Sequence, residues 1–186
     1  MAADQPAVFR LGGQEDGATV ARVFRGESTH KVDAKGRVSI PALFRRVIEA
    51  NDPDWTEGRA PELIIVYGDH RRKYLECYTV AAMQEVDDKI AAIPRGSKLR
   101  RMMEQMFQAE SFHTSVDETG RLVLPARLRQ QIGLEGEAVF TAAGDTFQIW
   151  KPETYEAERL AETAAWLDEL PEDVDPLVLL DNPDAV

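Results

Sequence analysis

One stretch of fourteen residues occurs twice in this chain of 186 residues. Residues 32–45 have the sequence VDAKGRVSIPALFR and residues 116–129 have VDETGRLVLPARLR, at a constant offset of 84 and without a gap. Seven of the fourteen positions are identical, whereas ordinary residue frequencies give about one identity. The chain therefore contains two copies of one structural unit, and its fold has to bring two related halves together.

Each copy has the pattern of a tight turn between two short strands, followed by a helix. Asp33 suits the first position of the turn, Gly36 is free to adopt a positive φ at its end, and residues 37–40 alternate polar and apolar as a strand does. Pro41 suits the first position of a helix, because its missing N–H has no intrahelical partner there in any case. The equivalent residues of the second copy are Asp117, Gly120 and Pro125. We therefore predict a β-hairpin and a short helix in each copy.

Further strand and helix patterns follow each copy and place the chain in the α+β class. Strand patterns occupy residues 63–67, 74–78, 138–141 and 147–150, and amphipathic helix patterns occupy residues 79–93, 97–109 and about 153–170. The Met-rich helix at 97–109 has the apolar spacing of a core or a subunit interface. We divide the chain into a disordered extension at 1–22, a first repeat at 27–80, linker helices at 81–110, a second repeat at 111–154, and a C-terminal helix with an acidic tail at 155–186.

The negative charge of the chain is concentrated at its C-terminal end. The formal net charge is −11, and residues 151–186 contribute −9 of it, since they contain eleven acidic and two basic residues. Residues 1–150 therefore carry only −2. A nearly neutral body can still present one basic surface, so the overall acidity does not argue against nucleic acid as a partner.

The sequence lacks the signatures of the common enzyme and metal sites. It has no glycine-rich phosphate-binding motif, no G-x-S-x-G and no H-E-x-x-H, and its three histidines lack metal-ligand spacing. No run of about 18 apolar residues indicates a membrane span, and a single cysteine, Cys77, is typical of a reducing compartment. We expect a cytoplasmic protein without catalysis, metal, cofactor or small-molecule substrate.

Arg37 and Arg121 are the identical residues that the turn and strand pattern does not explain. Each follows the turn glycine, on the polar face of the return strand. Three interpretations remain open: an ion pair with the aspartate of the same turn, a contact with DNA phosphate or a guanine edge, or both in different states. Lys35 at the tip of the first turn favours DNA contact in that copy, whereas the second copy has Thr119 there.

Other basic residues have less specific interpretations. The clusters at 70–73 and 95–101 are either solvated polar faces or contacts with phosphate or with another subunit. The identical pair Arg45 and Arg129 has no assigned role at this point.

Taken together, these residues resemble the MraZ family of bacterial transcriptional regulators. The resemblance rests on Phe24-Arg25-Gly26, on the segment from Val32 to Pro41, on the second Asp-x-x-Gly-Arg, and on Ile149-Trp150 before a helix. It covers about residues 24–160. The doubled motif followed by an apolar-x-apolar-Pro segment is quite specific, since a single copy would indicate only the wider AbrB-like group.

The resemblance implies a fold of two tandem AbrB-like repeats, whose interleaved hairpins and short helices form a pseudo-two-fold swapped-hairpin β-barrel with flanking helices. It also implies a ring-like homo-oligomer that binds double-stranded DNA with short direct repeats and is associated with the nucleoid. The implied target is the promoter of the division and cell-wall gene cluster, including the protein's own gene, and the implied action is mainly repression. In this resemblance Lys35 and Arg37 correspond to the DNA-contacting position, and Arg121 is the repeat partner of Arg37.

An alternative from another class is an oligomeric scaffold or antitoxin-like interaction module, in which the Asp/Arg pairs are purely structural. The chain also departs from the family pattern at both ends. Because 22 to 23 residues precede the Phe-Arg-Gly segment, Val23 is an alternative start, and the acidic tail past Pro171 is longer than the fold requires.

Overall fold

Strands and helices alternate along residues 23–171 and 174–181, which are the residues described by this computed structural model. The strands are β1 (Glu27–Lys31), β2 (Arg37–Ser39), β3 (Glu62–Val66), β4 (Tyr74–Thr79), β5 (Ser111–Ser115), β6 (Arg121–Val123), β7 (Glu137–Ala143) and β8 (Thr146–Trp150). The helices are α1 (Ala42–Ala50), α2 (Val80–Ala92), α3 (Lys98–Glu104), α4 (Ala126–Gln131), α5 (Pro152–Thr154), α6 (Ala161–Glu169) and α7 (Val178–Asp181). A π-helical segment, Gln105–Ala109, continues α3, and another, Tyr155–Leu160, joins α5 to α6. We call the continuous stretch 152–169 the C-terminal helix.

The predicted positions of most elements are confirmed. The patterns at 79–93, 97–109 and 153–170 form helices, and the later strand patterns form two antiparallel hairpins, β3–β4 and β7–β8. The disordered extension predicted at 1–22 lies outside the described residues, as do residues 172–173 and 182–186 of the acidic tail.

The first strands of each copy pair with the other copy. β1 pairs antiparallel with β7, β5 with β3, and β2 with β6. The larger sheet has the strand order β1-β7-β8-β4-β3-β5, which reads the same in reverse when the two copies are exchanged. The repeat in the sequence is therefore expressed as a two-fold pattern in the sheet.

The turn predicted within each copy is present, but the strands on its two sides do not pair with each other as the predicted hairpin requires. In the first copy Gly36 donates its N–H to the carbonyl of Asp33 (2.8 Å), but an isolated bridge between Val32 and Val38 is the pairing found across that turn. The return strand β2 bonds instead to β6, its counterpart in the second copy. Sequence alternation identifies such a strand but does not identify its partner.

The prediction of a closed barrel is also wrong. Among the described residues the ladders form one six-stranded sheet, with β1 and β5 at its edges, and a separate two-stranded sheet of β2 and β6. With three residues each, β2 and β6 use their ladder bonds on each other, so the larger sheet stays open between β1 and β5. What remains of the expectation is a mixed α+β fold with antiparallel sheets.

One hydrophobic core lies between the six-stranded sheet and the two-stranded sheet with α1 and α4. Phe24 packs against Phe44 and Phe147, with ring centroids 5.1 and 5.0 Å apart. The repeat positions that alternate between apolar residues all lie in this core: Val38 and Leu122, Ile40 and Leu124, Phe44 and Leu128. They are apolar in both copies because both copies fill one shared interior.

The opposite face of the six-stranded sheet is covered by helices. Residues of α2 and the π-helical segment after α3 pack on Ile64 and Tyr78, whereas Tyr155 of the C-terminal helix packs on Val139 and Trp150. Because neighbouring residues of a strand point to opposite faces, these helices and the two-stranded sheet lie on opposite sides of the larger sheet. The molecule thus has three layers.

The Met-rich helix is only partly buried, on the side that faces the sheet. Phe107 packs edge-to-face on Tyr78 at 6.5 Å between ring centroids, whereas Leu99 and Met102 expose 57% and 46% of their surfaces. The helix therefore contributes to the core as predicted, and it also carries apolar surface that no described residue covers.

Candidate nucleic-acid interface

The two-stranded sheet, residues 37–39 and 121–123, forms a ribbon on the outside of the core, and we call it the ribbon. Its register is Arg37 opposite Val123, Val38 opposite Leu122, and Ser39 opposite Arg121. The central pair, Val38 and Leu122, is fully buried in the core. The other four side chains therefore lie on the outer face of the ribbon.

The ribbon brings the two candidate arginines together. Arg37 and Arg121 are diagonal neighbours in the register, which places their Cα atoms about 7–8 Å apart. Their side chains expose 42% and 39% of their surfaces. Sequence analysis selected both residues without predicting that they share one face.

The first turn holds Arg37 through Asp33. One carboxylate oxygen of Asp33 accepts the backbone N–H groups of Lys35 and Arg37, each at 2.9 Å, and the other accepts Nε of Arg37 at 2.6 Å. The backbone and side-chain hydrogen bonds from Arg37 lower the pKa of Asp33. The ion pair is therefore present in this copy, which fits both a purely structural pair and a pair that alternates with DNA contact. It engages Nε, and among the described residues no hydrogen bond from the terminal Nη atoms of Arg37 is found.

The second turn has the same backbone but a looser arginine. Asp117 accepts the hydroxyl of Thr119 at 2.6 Å and the backbone N–H of Arg121 at 2.9 Å. The Thr119 hydroxyl is the main cause that lowers the pKa of Asp117. Nε of Arg121 stands 3.6 Å from the Asp117 carboxylate and has no hydrogen-bond partner among the described residues. The Thr119 hydroxyl binds one carboxylate oxygen of Asp117, and the other oxygen is the one that lies 3.6 Å from Nε of Arg121.

Each turn packs against the start of the helix of the other copy. Leu124 donates its N–H to the carbonyl of Gly36 at 2.8 Å, and Ile40 donates to that of Gly120 at 3.0 Å. Both glycines have positive φ, 81° and 77°. A Cβ atom on Gly36 would collide with the carbonyl of Leu124, and one on Gly120 would collide with the guanidinium of Arg45. The positive φ favours glycine at both positions, and at Gly36 the close backbone carbonyl of Leu124 also requires it.

Arg45 and Arg129, which sequence analysis left unassigned, lie over these glycines. Nε of Arg129 donates to the carbonyl of Leu124 at 3.1 Å and lies beside Gly36. Arg45 lies beside Gly120 in the equivalent place. The two arginines therefore pack against the turn of the opposite copy, although Nε of Arg45 has no hydrogen-bond partner among the described residues. Their identity in the repeat was the available signal, but nothing local indicated that Gly120 lies beside Arg45, or that Gly36 lies beside Arg129.

The other basic clusters differ in their environment. In the cluster at 70–73, Arg71 pairs with Asp69 (2.7 Å), Arg72 pairs with Glu76, and Lys73 pairs with Glu158 of the C-terminal helix. The hydrogen bond from Arg71 lowers the pKa of Asp69 far below its usual value. These pairs favour a structural role for that cluster. Lys35, by contrast, is exposed and has no ion pair among the described residues.

The described residues contain no group of three or more His, Cys, Asp or Glu side chains that could hold a metal ion. Within the same residues no helix has the length and apolarity needed to cross a membrane. Cys77 is a free, buried thiol, and its burial raises its pKa well above the ordinary value. The feature that stands out chemically is the exposed pair of arginines on the ribbon.

Comparison with known proteins gives a consistent set of relatives. Residues 106–165 match a family model described as "MraZ protein, putative antitoxin-like". A protein of Ruegeria pomeroyi named transcriptional regulator MraZ is 68% identical over 163 residues, which are 88% of this chain and 98% of that protein. Proteins of the same name are 44% identical over 170 residues in Cereibacter sphaeroides (88% and 98% covered) and 30% identical over 155 residues in Legionella pneumophila (82% and 97% covered).

Proposed function

Because the chain belongs to the MraZ family of transcriptional regulators, we propose that it regulates transcription by binding double-stranded DNA through the ribbon and its two turns. The observation that carries this proposal is the pair of arginines on one exposed face of a two-stranded antiparallel ribbon. Lys35 adds a third positive charge at the adjacent turn.

The major groove of DNA accepts a two-stranded β-ribbon, and arginine is the side chain that best recognises guanine there, through O6 and N7. Asp33 binds Nε of Arg37 and thereby orients the guanidinium, and no described residue accepts a hydrogen bond from its terminal Nη atoms. The ion pair and the base contact are then compatible, because they use different nitrogens. Lys35 carries a compact positive charge at the turn, which suits contact with a phosphate of the DNA backbone.

One subunit of this kind would bind DNA weakly, since it offers few cationic side chains at the ribbon. A ring-like homo-oligomer places several ribbons along DNA with short direct repeats, and each further contact is then intramolecular. We propose such an assembly in the cytoplasm, at the nucleoid. Its proposed target is the promoter of the division and cell-wall gene cluster, including its own gene, and its proposed action is repression.

The experiment is a competition assay on DNA from upstream of the protein's own gene, with unrelated DNA as competitor, repeated over a series of salt concentrations. The proposal predicts preference for the promoter fragment and a steep, linear loss of log affinity with log salt concentration. Binding that ignores the sequence, or that is insensitive to salt, contradicts it.

The second candidate function is an oligomeric scaffold or antitoxin-like interaction module. The observation that favours it is the Asp/Arg pair in both turns, which stabilises the turn without any partner. Under this candidate, DNA binding is absent or sequence-blind in the competition assay, and replacing Arg37 lowers the thermal stability without affecting a DNA complex.

A further inference from the structure

Val123 exposes an apolar side chain on the outer face of the ribbon. It exposes 48% of its surface, and within the described strands it is the only large apolar residue that is exposed. Its neighbours Leu122 and Leu124 point inward and are fully buried. Packing in the core therefore does not explain why residue 123 is apolar.

The first copy shows that the strand does not require an apolar residue at this position. The equivalent residue there is Ser39, 84 positions earlier in the chain, and it is also exposed. The two strands of the ribbon pair over the same three positions, one with the serine and the other with the valine. The valine is therefore free to serve a purpose other than strand formation.

Val123 lies directly opposite Arg37 in the register of the ribbon. Directly opposite residues of an antiparallel pair have Cβ atoms about 4.5–5.5 Å apart. Successive base pairs of DNA are separated by a similar distance, about 3.4 Å. The two side chains can therefore reach the same base pair or two adjacent base pairs.

The ion pair of the first turn keeps Arg37 close to its own strand. One carboxylate oxygen of Asp33 accepts the backbone N–H of Arg37 at 2.9 Å, and the other accepts its Nε at 2.6 Å. Because one carboxylate binds both groups, Nε stays near the strand backbone instead of extending straight out from the ribbon. A shorter side chain such as that of Val123 can then approach the bases beside the guanidinium.

We propose that Val123 recognises the 5-methyl group of a thymine next to the guanine that Arg37 binds. This inference rests on the proposed DNA binding by the ribbon, and it names part of the sequence that the ribbon reads. Thymine is the base that presents a methyl group in the major groove, and apolar side chains are the groups that contact it. The contact removes from water an apolar surface that the ribbon otherwise leaves exposed.

The difference between Val123 and Ser39 also gives the ribbon a direction on DNA. Exchange of the two copies brings each arginine onto the other, but it puts the serine in the place of the valine. Arg37 therefore has an apolar residue opposite, whereas Arg121 has a hydroxyl group opposite. The two ends of the ribbon then read different sequences. Such a reader suits direct repeats, because all copies of a direct repeat point the same way.

The test compares promoter DNA with the same DNA in which deoxyuridine replaces the thymines of the repeats. Deoxyuridine lacks the 5-methyl group but keeps the base pairing of thymine. We expect the wild-type protein to bind the deoxyuridine DNA about fourfold more weakly for each ribbon in contact, the factor that one buried methyl group contributes. Replacement of one thymine at a time should show this loss on only one side of the recognised guanine.

Val123→Ser gives the second copy the residue that the first copy already has, so the ribbon should persist. We expect this variant to bind thymine and deoxyuridine DNA equally, with about the affinity of the wild type for deoxyuridine DNA. The matched control is Val178→Ser, the same change at an exposed valine of α7, which should keep the wild-type preference for thymine. Thermal unfolding of both variants checks that each is folded.

Equal binding of both DNAs by the wild type would overturn the inference, and so would a preference for thymine that survives Val123→Ser. A loss on both sides of the guanine would contradict the direction of the ribbon. All three results leave the proposed function intact if the wild type still prefers the promoter to unrelated DNA. If the wild type lacks that preference, the proposed function falls and this inference falls with it.

Discussion

Arg37 and Arg121 occupy the same place in the repeat but have different surroundings. Arg37 is bound to Asp33 at 2.6 Å, whereas Arg121 stands 3.6 Å from Asp117, and the hydroxyl of Thr119 binds the other oxygen of that carboxylate. An arginine fixed through Nε loses less freedom when it binds a base. We therefore expect the first copy to contribute more to DNA recognition than the second.

Replacing Arg37 by Ala should weaken binding to the promoter by about 1–3 kcal/mol per ribbon, the value of a bidentate arginine–guanine contact. The molar mass of the assembly should stay unchanged, since the side chain of Arg37 is exposed and pairs only with Asp33 of its own turn among the described residues. Gel shifts on promoter DNA and light scattering measure the two effects. Arg25→Ala, an exposed arginine outside the ribbon, is the control, and Arg121→Ala should have a smaller effect than Arg37→Ala.

Substitutions of three glycines by alanine distinguish the stability lost through a positive φ from the stability lost through a collision. Gly58 has φ 86° and open space around it, Gly120 has φ 77° beside the Arg45 side chain, and Gly36 has φ 81° beside the backbone of Leu124. Alanine in this conformation costs about 1–2 kcal/mol. Thermal unfolding should show Gly58→Ala as the mildest variant and Gly36→Ala as the most severe, because a side chain can move and a backbone carbonyl cannot. Equal losses in all three variants would mean that the close packing of the turns has no effect on stability.

The sequence predicted the residues of the turn but not all of their functions. Asp33 and Gly36 follow from turn chemistry, which is local. The role of Arg45 could not be predicted, because it depends on a glycine in the other copy, and no local pattern indicates that approach.

The two turns differ in charge at two positions, since the first has Ala34 and Lys35 where the second has Glu118 and Thr119. Replacing Lys35 and Thr119 by each other in separate variants should change the salt dependence of DNA binding in opposite directions. Lys35→Thr should reduce the slope of log affinity against log salt by about 0.9 per lost phosphate contact, and Thr119→Lys should increase it. Salt titrations of both variants on one promoter fragment check this. Unchanged slopes in both variants would show that neither turn tip contacts the DNA.

Elements were easier to predict than their partners. The turn, the alternating return strand and the proline before the helix are encoded within fourteen residues, and all are present. The partner of β2, however, is β6, its own repeat 84 residues later. Hydrophobic alternation requires that Val38 be buried but fits several pairings, so the local hairpin was the wrong choice among them.

The whole molecule should lose stability in acid through its paired aspartates. Hydrogen bonds from Arg71 lower the pKa of Asp69 from an ordinary 3.8. The contribution of Asp69 to the free energy of unfolding is therefore present above that pH, and it disappears as the pH falls towards the pKa of Asp69 in the folded state. Asp69→Asn should therefore flatten the decrease of the melting temperature between about pH 2 and 5. Asp145→Asn, an exposed aspartate of another turn, is the control and should leave the decrease unchanged. Identical curves for wild type and Asp69→Asn would contradict the prediction.

The ribbon lies on one side of the larger sheet, and the helices that pack on Ile64, Tyr78 and Val139 lie on the other. The acidity of the chain belongs to the C-terminal segment, which follows the helical layer. The overall charge of −11 is therefore a poor guide to what the ribbon binds.

The most direct test of the account is protection of guanine N7 from methylation by dimethyl sulfate in DNA from upstream of the protein's own gene. The account predicts protected guanines, repeated along the short direct repeats, with the wild-type protein. It predicts loss of that protection with Arg37→Ala combined with Arg121→Ala, while the assembly keeps its mass. Binding without protection of guanine N7, or protection that survives the double substitution, would contradict DNA recognition by the ribbon.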